Sequence, residues 1–159
     1  MRSILTIVLI LAVVITGMSC KKGTPATYPV EGDYLIAGHS DGFVAGGNPV
    51  IYYLINNGQL RKDVSKTEAT VPTDVSGFNF SIQMLQVSYA AVADLLTTIP
   101  SELLARNNAY IGSQVVADIP TLDVRTSIHG TLYRWTFSED QSSSSAAVQL
   151  FYNRINAIH

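Results

Sequence analysis

The chain has 159 residues, 47% of them hydrophobic, with 12 acidic and 10 basic residues and a formal net charge of −2. This length fits a single domain of ordinary size. Non-specific binding of nucleic acid needs clustered Lys and Arg, and the residues from Val30 onward carry only 7 basic against 12 acidic residues, so the charge argues against a nucleic-acid partner.

Residues 1–19 have the pattern of a secretory signal peptide. Arg2 supplies a positive start, and residues 4–15 form an apolar run broken only by Thr6. The hydrophobic region of a signal peptide has about 7–15 residues, whereas a membrane-spanning helix needs about 20. The sequence therefore predicts that residues 1–19 are removed and that the mature chain begins at Cys20.

Cys20 is the only cysteine, and it lies in the segment GMSCKK. A lone cysteine in an exported chain cannot form an internal disulfide. The segment resembles a bacterial lipoprotein signal, in which a peptidase cuts just before a cysteine that carries a diacylglycerol. Ser19 fits the small residue before the cut, and the departure at Gly17 resembles the relaxed signals of Bacteroidetes lipoproteins. We expect Cys20 to be lipidated; an uncleaved signal anchor and an unlipidated secreted protein are the alternatives.

Residues 20–29 are predicted to be a tether. Gly23, Pro25 and Pro29 oppose both helix and regular strand. At about 3.4 Å per residue, the nine residues after Cys20 reach roughly 30 Å. We expect residues 30–159 to form one globular domain that stays close to the bilayer.

The first half of the domain is predicted to be mainly strand. Alternation indicates a strand over residues 33–37, followed by a glycine-rich loop that begins at Gly38. Asn57 and Gly58 lie between an apolar run and a second extended segment, which is the strongest short signal for a hairpin with a type I′ turn. Residues 66–77 are predicted to be a loop.

The second half is predicted to contain helices and another hairpin. An apolar stripe over residues 85–96 favours a helix that Pro100 stops, and residues 101–106 favour a short second helix. His129 and Gly130 lie near the turn of a second hairpin. A C-terminal helix carries Val148, Phe151, Ile155 and Ile158 on one stripe. This order of elements predicts an α+β fold, an antiparallel sheet built from hairpins and packed against two central helices and the C-terminal helix.

A wider resemblance rests on the run NPVIYYLINNGQLRKD, on LLTTIPSELL, and on the later hairpin and helix. Together they resemble a set of small uncharacterised Bacteroidetes lipoproteins, over most of the mature chain. Some members of that set carry paired cysteines between the central helices and the last hairpin. This chain has none there, so the resemblance implies lineage and anchoring and supplies no activity.

The segment GHSDG is a literal G-x-S-x-G, the pattern of the nucleophile elbow of α/β-hydrolases. Ser40 would be the nucleophile, with Asp118 or Asp123 and then His129 completing a triad. However, FVAGGNP follows the serine where a helix is required, and too few residues precede it for the strands of that fold. A turn built from Gly, Ser and Asp explains the same residues.

Metal binding has little support in the sequence. His39, His129 and His159 are too scattered to give the spacing of a metal site, so no metal or cofactor is predicted. The pair His39 and Asp41 is an alternative as a surface cation site.

Two further groups of residues are candidate sites that structural roles also explain. Asp118 and Asp123 are candidates for paired carboxylates in glycoside chemistry, but Pro120 and Arg125 beside them favour a solvated loop with a local ion pair. An aromatic cluster is a candidate ligand platform, although neighbours on one strand face opposite sides, which favours a core role for part of it. Its members are Tyr52, Tyr53, Tyr133 and Trp135.

These observations predict a membrane-anchored lipoprotein that acts as a non-catalytic binding or accessory module. Its expected partner is the membrane, through the lipid on Cys20. The acidic residues that often follow the cysteine in surface-exported relatives are missing, which favours the periplasmic side of the outer membrane. The alternative is a small lipid-anchored serine esterase that uses Ser40, His129 and Asp123.

Overall fold

The computed structural model describes residues 28, 30–40, 49–113 and 120–158. These residues form one sheet with the strand order β4-β3-β2-β1-β6-β7-β5. All neighbouring strands are antiparallel except β5 and β7, which are parallel. The strands are β1 (Tyr34–Ser40), β2 (Pro49–Asn56), β3 (Gln59–Thr67), β4 (Ile82–Gln83), β5 (Ala109–Ile111), β6 (Thr121–Ile128) and β7 (Thr131–Ser138).

Two tight turns set the register of the sheet, as the sequence predicts. Asn57 and Gly58 have φ of 48° and 72°, and His129 and Gly130 have φ of 49° and 79°. Positive φ at both central residues is the requirement of a type I′ turn, whose twist matches that of the flanking strands. The turns join β2 to β3 and β6 to β7 with two residues each.

Strand β1 is longer than predicted. It continues through Gly38 to Ser40, where a loop was expected to begin. Gly38 is paired with Tyr52 on β2 and with Asp123 on β6, so both of its neighbours are strands. This two-sided pairing holds a glycine in extended conformation, which local sequence alone does not favour.

The helices lie against one face of the sheet, which we call the helix face. They are α1 (Gln86–Ala90), α2 (Ser101–Leu104) and α3 (Ala146–Asn156). The predicted apolar stripe is buried there, although its last residue, Ile158, lies beyond the end of α3. Ser145 caps the helix by accepting from the N–H of Val148 at 3.3 Å. Trp135 is fully buried on this face, and its Nε1 donates to the carbonyl oxygens of Leu103 and Arg106.

The helix predicted over residues 85–96 is only partly present, because α1 ends at Ala90 and separate turns follow. In these turns the backbone N–H of Val92 bonds to Tyr89 and that of Leu95 to Val92, three residues back, where a continuous α-helix bonds four residues back. Side chains add further bonds to the carbonyl oxygens of this stretch. Arg154 of α3 donates to the carbonyl oxygen of Ala91, and both Thr97 and Thr98 donate to that of Asp94. Such side-chain bonds compete with regular helix.

The opposite face is covered by residues 71–80, which we call the covering segment. The sequence predicted a loop over residues 66–77, and that stretch contains two 3₁₀ turns, Glu68–Thr70 and Val75–Gly77. Phe78 and Phe80 of the covering segment pack on Tyr52 and Ile36 of the sheet. Asp63 of β3 holds this segment, since its Oδ2 accepts from the N–H of Asn79 at 2.6 Å.

The predicted α+β class and antiparallel sheet are confirmed, and the sheet has a separate apolar core on each face. Within the described ranges, no helix combines the length and the apolar character that a membrane crossing requires.

Candidate functional site

The three residues of the esterase hypothesis are not brought together. Ser40 ends β1 opposite Thr121, whereas His129 lies in the turn beyond the other end, where Tyr34 pairs with Ser127. Thr121 and His129 are eight residues apart along β6 and its turn, which at about 3.4 Å per residue separates Ser40 from His129 by more than about 20 Å. A nucleophile and its base must be within about 3 Å of each other. The side chain of His129 is instead exposed, and the backbone N–H of His129 donates to Oδ1 of Asp33 at 2.7 Å.

Asp123 is committed to two arginines. Its Oδ2 accepts from Nε and Nη2 of Arg125 at 2.8 and 2.7 Å, and its Oδ1 accepts from Nε of Arg134 at 3.0 Å. The local ion pair with Arg125 expected from the sequence is therefore present, although it lies on a strand and not in a loop. Both carboxylate oxygens are occupied, so Asp123 links β6 to β7.

The other residues that the sequence suggested as site residues do not form a second site in the described part of the chain. Cys20, Asp41, Asp118 and His159 lie outside the described residues. In the part of the chain that the structure describes, no three His, Cys, Asp or Glu side chains are grouped to hold a metal ion. His39 lies half-buried on β1.

The hypothesis of an exposed aromatic platform is wrong. Tyr52, Tyr53 and Trp135 are buried, Tyr52 on one face of the sheet and the other two on the helix face. Tyr133 is half-buried and stacks on Trp135, with 5.8 Å between ring centroids. The four residues stabilise the two cores.

A cleft of about 550 Å³ lies on the face of the covering segment, between that segment and the β6–β7 hairpin. We call it the arginine cleft. Its lining combines apolar side chains with the two arginines that share Asp123, and includes Tyr34, Ile36, Val75, Arg125, Leu132 and Arg134.

Arg125 is fixed at the inner side of the arginine cleft and nearly buried. Nε and Nη2 hold Asp123, Nη1 donates to the carbonyl oxygen of Pro72, and Cζ lies 5.3 Å from the centroid of the Phe78 ring. This arginine therefore attaches the covering segment to β6. Its buried charge is balanced by Asp123, as a buried charge requires.

Arg134 differs from Arg125 in how much of its guanidinium is used. Its side chain is 48% exposed, and Nε is bonded to Asp123. Among the described residues, no acceptor for its two terminal nitrogens is present. Arg134 is thus oriented by Asp123, with up to four N–H donors left for a ligand.

Asn107 fixes the wall of the arginine cleft beside Arg134. Its Nδ2 donates to the carbonyl oxygen of Leu132 at 2.8 Å, and its Oδ1 accepts from the N–H of Arg134 at 3.0 Å. The side chain thereby takes the place of a neighbouring strand along this part of β7, before β5 begins to pair. The backbone under Leu132 and Arg134 is therefore held.

Tyr34 and Asp74 also line the arginine cleft. Burial raises the pKa of the Tyr34 hydroxyl, which keeps it protonated as a hydrogen-bond donor. Hydrogen bonds from the side chain and then the N–H of Ser76 lower the pKa of Asp74, which keeps that carboxyl charged at the outer wall. An anionic ligand would therefore be favoured near Arg134 and disfavoured near Asp74.

A second cavity, of about 250 Å³, lies on the helix face at the end of α3. His39, Tyr53, Ile155 and Asn156 are among its lining residues, and none of the lining residues is Asp, Glu, Lys or Arg. It offers less for specific recognition of a charged ligand than the arginine cleft does.

No protein-family model matches this chain, and no curated protein or solved structure shows significant similarity to it. The arginine cleft has a fixed arginine, an oriented and partly free arginine, and apolar walls, which is chemistry suited to binding.

Proposed function

We propose that this protein is a membrane-anchored binding module, attached through a lipid on Cys20, whose ligand site is the arginine cleft. The signal-like residues 1–19 and the segment GMSCKK support the anchor. The resemblance to Bacteroidetes lipoproteins supports a place in the cell envelope at the outer membrane, and the lack of acidic residues directly after Cys20 favours its periplasmic side.

The observation that carries the binding role is the difference between the two arginines. The guanidinium of Arg125 is bonded within the fold. Asp123 orients Arg134 and leaves the terminal nitrogens of Arg134 available to a ligand. A guanidinium fork matches a carboxylate with two parallel hydrogen bonds. We propose that the ligand is a molecule with a carboxylate for Arg134 and an apolar body that contacts Leu132 and Val75.

The same geometry supports a non-catalytic role. A general base or nucleophile must have its reactive atom available to the substrate, and both oxygens of Asp123 are bound to arginines. The separation of Ser40 from His129 leaves the esterase alternative without a specific supporting observation. The purified protein should accordingly not be labelled by a fluorophosphonate; labelling that disappears in Ser40→Ala would reinstate the esterase.

The binding role is tested by titrating the protein with octanoate and phenylacetate while the backbone amide signals are followed by NMR. We expect shifts at Leu132 and Arg134 with both acids, and much smaller shifts with octanol, which lacks the carboxylate. Arg134→Gln should weaken binding about tenfold or more, since a charge-assisted bond is worth about 1.5–3 kcal/mol.

Arg106→Gln is the matched control, because Arg106 is an exposed arginine outside the arginine cleft. It should bind like the wild type. Equal affinity of wild type and Arg134→Gln, or shifts confined to another surface, would overturn the proposed site. Because Arg134 is half exposed, Arg134→Gln should change the free energy of unfolding by less than about 1 kcal/mol, so lost binding will not reflect unfolding.

A further inference from the structure

An exposed apolar patch lies at the β4 edge of the sheet, where α1 begins. Leu85 and Val87 are 74% and 73% exposed, and Ile82 of β4 is 39% exposed. The three side chains lie within six residues of one another. We call this group the edge patch.

The edge patch adjoins the most basic strand of the domain. Both lysines of residues 30–159, Lys62 and Lys66, lie on β3 together with Arg61. Lys62 is paired with Ile82 and Arg61 with Gln83, so the positive charges run beside the edge patch. The acidic residue of this strand, Asp63, is buried and binds Lys66 at 3.7 Å, so the two charges offset each other, and the Lys66 side chain is only 16% exposed. Arg61 and Lys62 therefore supply the positive charge beside the edge patch.

The chain enters the domain at the same place. Cζ of Arg61 lies 4.2 Å from the ring centroid of Tyr28, and Nη1 of Arg61 is 3.5 Å from Oε1 of Gln83. Tyr28 is therefore joined through Arg61 to the strand that leads into Leu85. Tyr28 is the eighth residue after Cys20, so the chain between them reaches at most about 27 Å.

From these three observations we infer that the edge patch and β3 form a membrane-contacting surface, on which the lipidated domain rests against the bilayer. This inference rests on the lipid anchor of the proposed function. A patch of three apolar side chains is far smaller than the ~800 Å² per partner of a stable protein interface. A bilayer needs no matching shape, and a tether keeps its local concentration high, so a weak contact is populated.

The contact fixes the direction of the arginine cleft. Arg134 lies on β7, four strand spacings from β3 in the sheet order, and at about 4.8 Å per spacing this is about 19 Å. With the β4 edge on the bilayer, the arginine cleft is held away from the membrane and open to the surrounding compartment.

The experiment uses the full-length mature protein, extracted with its lipid and reconstituted into vesicles that contain brominated phosphatidylglycerol. Val87→Cys and Leu150→Cys variants are labelled with an environment-sensitive maleimide dye, because an acylated Cys20 has no free thiol. Leu150 is the matched control, an equally apolar side chain on α3 that is 63% exposed. We expect the dye at residue 87 to be blue-shifted and quenched, and the dye at residue 150 to be neither.

Quenching at residue 87 should weaken in vesicles of brominated phosphatidylcholine alone, because the basic strand is attracted to anionic headgroups. Equal signals from residues 87 and 150 would overturn the inference and leave the anchor intact. A signal at residue 87 that depends on protein density and not on bromine would assign the edge patch to a second copy of the chain. Labelling of the wild type at Cys20 would show that the anchor itself is absent, and the inference would fall with it.

Discussion

Gly38 occupies an interior position of β1, opposite Tyr52 of β2. A Cβ at residue 38 would overlap the Tyr52 ring, because the ring occupies the space in which a side chain of residue 38 would lie. Gly38 does not have positive φ. This position therefore requires glycine because the Tyr52 ring approaches the backbone closely. It does not require the positive φ that a glycine in a turn would supply.

We predict that Gly38→Ala destabilises the protein by about 1–3 kcal/mol, as overpacking of a core typically does. In a Tyr52→Val background the same change should be nearly neutral, because the ring atoms that meet the new Cβ are gone. Urea unfolding of the four proteins in this double-mutant cycle measures the coupling. An equal cost of Gly38→Ala in both backgrounds would mean that backbone conformation, and not the ring, selects glycine.

The residues of the arginine cleft were partly predictable. Asp123 and Arg125 share a strand face because they are two residues apart, and the sequence predicted their ion pair. A two-residue turn at His129 and Gly130 also places Arg125 opposite Arg134. Counting the strand pairs outward from this turn would therefore have predicted that the two arginines are neighbours. The contribution of Pro72 and Phe78 could not be predicted, since a contact across 53 residues depends on the path of the covering segment.

At the scale of elements, α3 provides a large part of the helix-face core. Phe151 is buried and Leu150, its neighbour, is exposed. We predict that Phe151→Ala costs about 3–5 kcal/mol, whereas Leu150→Ala stays within about 0.5 kcal/mol. Chemical denaturation of the two variants measures the difference. Similar costs would show that α3 is not packed as described.

Because α3 contributes so much of this core, deletion of residues 146–159 should leave the chain unfolded.

The contact between α3 and the turns after α1 is expected to depend on pH. Hydrogen bonds from Arg154 lower the pKa of Asp94 below its usual value. The folded state therefore binds fewer protons than the unfolded state, and stability from this carboxyl is present above its unfolded pKa of about 3.9. It is lost as the pH falls through the lower folded pKa.

We predict that Asp94→Asn lowers the melting temperature at pH 7, and that the difference from the wild type shrinks as the pH falls below about 4. Arg154→Gln should show the same pH profile, since it removes the other partner. Melting curves from pH 3 to 7 provide the measurement. A difference that stays constant over this range would exclude the ionised Asp94 as its source.

The elements with strong local signals were predicted correctly, and those that depend on distant partners were not. The Asn57–Gly58 turn and the stripe of α3 are encoded within a few residues. Strand β5 has three residues and exists because it pairs in parallel with Trp135, Thr136 and Phe137. The helix α1 ends at Ala90 although the apolar stripe continues to residue 96, so a local periodicity alone does not set the end of this helix.

For the whole molecule, the strand order separates two surfaces that the proposals use. The chain enters near β3, beside the edge patch, and the arginine cleft lies toward β7 at the other side of the sheet. A protein held by its N-terminus can thus contact a bilayer with one edge and a ligand with the other. Loss of the anchor should accordingly leave ligand binding unchanged.

Cys20→Ala tests the anchor directly. Two or more acyl chains bind a bilayer stably at about 0.8 kcal/mol per buried CH₂, and Cys20 is the only cysteine that can carry them. We expect the wild type in the detergent-rich phase after phase separation, and the variant in the aqueous phase or retained as unprocessed precursor. Arg134→Gln, which leaves the anchor in place, should partition like the wild type. Equal partitioning of wild type and Cys20→Ala would rule out the lipid anchor, whereas NMR shifts at Leu132 and Arg134 with octanoate would still report on the arginine cleft.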